Sequence, residues 1–222
     1  MRTRSGKSTV SHPRICLIEY LNWHGKLTWQ RPTGVFKLLY NAAGTHLCAC
    51  VPDTSRVKEK NIWRLPVRGF VADSKTFWFE TADADEAHYL CAILNAPMVD
   101  ASIEPFQTKG AFGSYRGKGE RDICRRPFEV LPITAFDRKS AQHQRLAELS
   151  KDGHARVRGL IQNMEEKTRK KSIGILRQVV RRELESQLQE IDPLVRELLG
   201  EVSPAPGAEK SNGVRKMGGP SY

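Results

Sequence analysis

Residues 107–127, QTKGAFGSYRGKGERDICRRP, concentrate the residue types that handle phosphates and bases. Gly110 and Gly113 let a backbone come close to a phosphate. Lys109, Arg116, Lys118, Arg121, Arg125 and Arg126 supply charge for phosphates or for bidentate contact with guanine. Gln107 offers the donor and acceptor that match adenine, and the rings of Phe112 and Tyr115 can stack on a base or anchor the loop. The same stretch also reads as a solvated basic surface loop, and composition alone does not separate the two.

Other chemistries find less material. The GKST at 6–9 would need a first glycine five residues earlier to form a phosphate loop, and Met1 stands there. His12, His24, His46, His88, His143 and His154 are scattered, with no HExxH and no nucleophile elbow. No paired-carboxylate motif and no G-x-G-x-x-G stands out, so the sequence predicts no catalytic residue, no metal and no cofactor site in this chain. Cys16, Cys48, Cys50, Cys91 and Cys124 lack the C-x2-C spacing of a zinc site, and reduced, buried thiols are the expectation. Cys48 and Cys50 alternate along an expected strand and would share one face, so a metal pair there is the alternative to plain buried thiols.

The elements that must position the basic segment follow from periodicity. RICLIEY at 14–20 reads as a strand, and VFKLLYNAAGTHLCACV as a hairpin about NAAG. GFVADSKTFWFE reads as a further strand pair turning at ADSK, with Phe77, Trp78 and Phe79 supplying core. Residues 83–96 read as a helix: Ala87, Leu90, Cys91 and Leu94 recur at helical spacing, Asp83 or Asp85 caps the start, and Pro97 ends it. Residues 104–126 read as a long exposed segment, followed by strand-like FEVLPITAF. An amphipathic helix is predicted over 141–166, from Leu146, Leu149, Gly153, Val157, Leu160 and Met164. A second helix carries Leu176, Val180, Leu184, Leu188 and Ile191, and Asp192-Pro193 restarts a short last one.

These readings assemble into an α+β fold, a mixed β-rich recognition domain followed by a long helical hairpin. The boundaries are a disordered basic start at 1–13, the α+β domain at 14–138, a helical docking region at 139–200 and a disordered tail at 201–222. The chain of 222 residues has 36 Lys and Arg against 25 Asp and Glu, a formal charge of +11, which favours a polyanionic partner. The excess sits at 1–40, with seven basic groups and one acidic, and at 151–182, with ten and three. The charge at 165–182 reads as the solvated side of a helix pair, although the basic turn KTRKKS between the long helices could also lie along a DNA backbone. No apolar run reaches the roughly 18 residues of a membrane span, and the start lacks a secretory core, so a cytoplasmic protein is expected.

In order along the chain, FVADSKTFWFET, AHYLCAILNAP, QTKGAFG, RDICRRPFEVLPI, AFDRKSAQHQRLAELS and LQEIDPLVRELLG resemble the carboxy-terminal portion of adenine-specific DNA methyltransferases of restriction-modification systems. YLNWHGKLTWQRPTGVFKLLYNAAGTHLCACV looks like the lead-in to that region, so the resemblance covers about 14–200. It implies a target-recognition module for double-stranded DNA, from a bacterium or archaeon and associated with the nucleoid. S-adenosylmethionine and the Asn-Pro-Pro-Tyr-type motif would belong to a separate methyltransferase catalytic domain or subunit, because no such motif occurs here. In that reading Gln107, Lys109, Gly110 and Gly113 enter the DNA-facing loop, and Arg121, Asp122 and Ile123 match the RDI that follows. SYRGKGE at 114–120 is longer than the family pattern, which affects the loop's contacts. Self-association through the apolar stripe at 176–198 is a further expectation. A reading from another class is a scaffold without DNA, oligomerising through the C-terminal helix pair.

Overall fold

The computed structural model describes residues 19, 22, 25–54, 61–62, 65–66, 69–73, 75–107, 121–123 and 126–200. The strand expected at 14–20 is corrected at Glu19, which is helical, and otherwise lies outside the described residues, as do the two termini assigned as disordered. Three antiparallel strands form the main sheet in the order β3-β1-β6: β1 is Phe36–Asn41, β3 Ala49–Cys50 and β6 Thr76–Thr81. The hairpin read at 35–51 is present, with Tyr40 opposite Ala49 and Leu39 opposite Cys50. Two short antiparallel pairs complete the strands among the described residues: β2 (Ala43–Gly44) with β7 (Arg121–Asp122), and β4 (Asn61–Ile62) with β5 (Leu65–Pro66).

The strand pair expected over 69–80 is corrected. Only β6 is a strand, and its partner is β1, in the register Lys37 to Glu80 and Tyr40 to Phe77. Residues 69–73 cannot extend the ladder because their backbone groups are already taken. The Gln30 amide donates to the Ala72 carbonyl and accepts from the Ala72 N–H, both at 2.7 Å, and the Phe70 N–H bonds the Pro32 carbonyl at 2.9 Å. A side chain thus does the work of a strand edge. The aromatic run is half-buried instead of central: Phe77 lies against Tyr40, with ring centroids 5.1 Å apart, while Phe79 is exposed.

Helix α1 (Ala84–Asn95) starts at Asp83, whose carboxylate accepts from the Asp85 N–H at 2.9 Å. Arg138 reaches the other carboxylate oxygen at 2.9 Å. Burial alone would raise the Asp83 carboxyl, but the capping N–H groups and Arg138 outweigh it and hold it below the ordinary range. Ala87 and Tyr89 through Leu94 are all buried, so α1 is enclosed on several sides, as an apolar helix at the centre of a domain must be. The sheet packs one side through Leu38 and Tyr40; α4 (Ala141–Asn163) packs another through Leu146, Ala147 and Leu149.

Asn95 ties α1 to the sheet. Its side-chain oxygen accepts from the Ala49 N–H at 3.0 Å, and its amide nitrogen donates to the Ala49 carbonyl and the Cys91 carbonyl, both at 2.9 Å. Asn95→Ala should therefore strand both backbone groups of Ala49 and cost about 2–3 kcal/mol. Urea unfolding reads this as a lower midpoint with an unchanged slope, and a shift within error would show that water replaces the amide.

Pro97 opens α2 (Pro97–Ile103) at its first position, and a single 3₁₀ turn, Glu104–Phe106, follows. FEVLPITAF is corrected from strand to a short helix, α3 (Arg126–Val130), and an irregular strap. Pro132 cannot donate to a ladder, while Leu131, Ile133 and Phe136 lean on the core and Thr134 accepts from the Tyr89 hydroxyl at 3.1 Å.

After α4 come α5 (Glu166–Arg169), α6 (Ile173–Glu183) and α7 (Glu185–Leu198). The restart expected at Asp192-Pro193 is corrected: the break falls at Leu184, and Pro193 lies inside α7. Asp192 does not cap its own helix. One of its carboxylate oxygens accepts from the Met98 N–H at 2.7 Å, closing the start of α2, and the other binds Arg196 at 2.9 Å. Ile191 and Val195 are buried in the same cluster as Leu38, Leu94 and Leu146. The apolar stripe is thus satisfied along α7, whereas α6 buries no residue. The fold is α+β, and no helix among the described residues is long and apolar enough to cross a membrane.

Candidate nucleic-acid interface

The basic segment leaves and rejoins one scaffold. Its first root is built by α1, α2 and the 3₁₀ turn, which deliver the chain to Gln107; the Gln107 N–H bonds the Glu104 carbonyl at 3.2 Å. Its second root is β7, where Gly44 pairs with Arg121 and Ala43 with Asp122. The Ile123 N–H then bonds the Ala42 carbonyl at 2.9 Å, and its side chain is fully buried. α2 packs on α3, so the elements flanking the segment lie against each other. The long exposed reading of 104–126 holds for Glu104, Pro105 and Phe106, which are exposed, and is corrected at Gln107 and Ile123, which are buried, and at Arg121 and Asp122, whose backbones pair in β7.

Gln107 is 7% exposed, so its amide does not present to solvent as a base-reading group would. Both amide atoms lack a hydrogen-bond partner among the described residues. An unsatisfied buried amide costs about 1–3 kcal/mol, so such groups are rare without a reason. Arg121 and Arg126 are placed through their backbones, in β7 and at the start of α3. Lys109, Gly110, Phe112, Gly113, Tyr115, Arg116, Lys118 and Arg125 lie outside the described residues.

Burial pushes the Cys91 thiol up to about 12, which removes it as a nucleophile. Cys48 and Cys50 do share a face, but it is the exposed one, which corrects the expectation of buried thiols. Among the described residues no three His, Cys, Asp or Glu side chains are grouped to hold a metal. His88 and His154 meet edge to face, with ring centroids 4.9 Å apart, at the contact between α1 and α4.

A second basic feature adds a groove to the sequence reading, which took the charge at 165–182 as the solvated side of a helix pair, with a basic turn that could also lie along a DNA backbone. α6 and α7 enclose a groove of about 640 Å³, lined by Gln178, Arg181, Arg182, Gln189 and Arg196, with Pro97 of α2 at its side. The periodicity shows these arginines as a polar helix face. It does not show that α7 folds back onto α2, which depends on the Asp192 bond to Met98 across 94 positions.

No protein-family model matches the chain, and no curated protein or solved structure matches it either.

Proposed function

We propose that the chain is the DNA-binding target-recognition part of an adenine-specific DNA methyltransferase of the restriction-modification type. The observation that carries this reading is the two-ended anchoring of a basic, glycine-bearing segment between Gln107 and Ile123 on a packed α+β core. Recognition sites are commonly built this way, with variable reading residues on a loop and rigid elements beneath it. The net charge of +11 supplies the phosphate attraction, and the ordered resemblance along 14–200 supplies the methyltransferase context. Catalysis belongs to a partner domain or subunit that binds S-adenosylmethionine and extrudes the target adenine from the duplex. In a bacterial or archaeal cytoplasm such a module resides on the nucleoid.

The experiment is selection of a randomised duplex pool by the purified chain at two salt concentrations. One enriched short motif, with retention falling as salt rises, supports the reading. In the same assay Lys109→Ala with Arg121→Ala should weaken affinity by more than a few-fold at moderate salt. Unchanged affinity would remove the segment from the interface.

A second reading, a scaffold oligomerising through its C-terminal helices, draws on the exposed Ile161, Ile173 and Ile175. Association of that kind barely responds to ionic strength, whereas phosphate binding falls steeply.

A further inference from the structure

Some of the described arginines are neutralised by carboxylates and others are not. Arg31, Arg138, Arg145, Arg158 and Arg196 each pair with a carboxylate. Arg177, Arg181 and Arg182, all exposed on α6, have no carboxylate within ion-pair distance among the described residues. Two of them, Arg181 and Arg182, line the groove beside α7. Of the two carboxylates there, Asp192 is committed to the Met98 N–H and Arg196, leaving Glu185 at the first turn of α7. A concave site with two unpaired guanidinium forks is suited to phosphodiester oxygens, which guanidinium binds bidentately.

Its position matters as much as its charge. Pro97 flanks the groove, and α2 runs from Pro97 to Ile103 before the 3₁₀ turn delivers the chain to Gln107. Seven helical residues span about 10 Å. α2 is therefore a short rigid spacer between the groove and the root of the basic segment. We propose that the α6/α7 groove is a second DNA contact, a seat for backbone phosphates at the Pro97 end of α2, whose other end leads through the 3₁₀ turn to the root of the basic segment. This rests on the DNA reading above. It adds that Arg181 and Arg182 set position and affinity and carry no sequence information.

The test uses the full chain and its selected duplex, titrated over a range of salt. Arg181→Ala with Arg182→Ala should weaken binding at low salt and reduce the slope of log affinity against log salt by about 1.8, while the enriched motif stays the same. Arg181→Lys with Arg182→Lys should recover most of the slope, since lysine keeps the charge and loses only the fork. Both arginines are exposed, so the variants leave the core intact. An unchanged slope in the alanine variant, with the Lys109 and Arg121 variant still impaired, would overturn the groove and leave the DNA reading standing. A changed motif would make the arginines base readers and overturn the backbone role. Binding of the wild type to phosphatidylserine vesicles but not to duplex, lost in the alanine variant, would assign α6 to a membrane surface and overturn both.

Discussion

Glu80→Ala is expected to lower the unfolding free energy by about 3–5 kcal/mol, read as a lower urea midpoint. Lys37 lies opposite Glu80 in the β1/β6 register, and their side chains are only 2% and 8% exposed. The ammonium donates directly to the carboxylate, its nearest other polar contact being the Gln30 oxygen at 3.5 Å. Arg31 adds its backbone N–H at 2.8 Å and its Nε at 3.2 Å to the same carboxylate. Burial alone would raise the Glu80 carboxyl, but the bonds from Lys37 and Arg31 outweigh it and hold it below the ordinary range. Removing the carboxylate leaves an ammonium that is desolvated with no counter-charge, and that residual charge, more than the lost bond, sets the size of the effect. Lys37→Met with Glu80→Leu removes both charges and should recover most of the loss. A Glu80→Ala loss no greater than that of the double variant would show that Lys37 reaches water once its partner is gone.

The same cluster shows what the sequence discloses and what it withholds. Helix α1 was legible because three local signals agree: apolar spacing at Ala87, Leu90, Cys91 and Leu94, an acidic cap at Asp83, and Pro97 as the stop. The β1/β3 hairpin was legible for the same reason, with NAAG between two apolar runs. Misreadings arose where a distant group takes over a local one. Residues 69–73 look like a strand, yet the backbone of Ala72 is occupied by Gln30, 42 positions away, and a polar residue at a bend gives no sign of that role. RPFEV is too short for periodicity to separate helix from strand. Asp192-Pro193 is a proper helix start in isolation, and it failed because Asp192 caps α2 instead. The candidate interface divides in the same way. The basic residues of 107–127 were legible as composition, while their anchoring needed the pairing of Ala43 and Gly44 with Asp122 and Arg121, and the groove of α6 and α7 needed the tertiary fold.

Acid should destabilise the protein well before its carboxylates protonate, and the cause is the histidine pair between α1 and α4. His154 accepts from the Val51 N–H at its Nε2, 3.0 Å away, and its Nδ1 lies 2.7 Å from the Ser150 carbonyl, to which it must donate. Both partners are satisfied only by the neutral ring with the proton on Nδ1. His88 faces the Ser150 hydroxyl at 3.1 Å, with His154 and Lys151 on α4 and Asp85 on its own helix as charged or titratable neighbours. Burial, then His154 and Lys151, lower the His88 pKa from 6.5 to about 4, with Asp85 opposing. Burial and, less strongly, Arg158 lower that of His154, against the Ser150 carbonyl. The unfolded chain takes up protons near pH 6.5 and the folded one does not, so the unfolded state binds more protons as pH falls. Stability from this pair is therefore complete above about pH 6.5 and is lost as pH drops toward 4. Allowing for solvent screening at a half-buried ring, the loss attributable to His88 between pH 7 and pH 5 is about 1–2 kcal/mol. Urea unfolding at the two pH values measures it, and His88→Asn should show a flatter pH response whatever its stability at pH 7. An equal pH dependence in wild type and variant would mean that His88 titrates at its ordinary value and that the α1/α4 contact tolerates its charge.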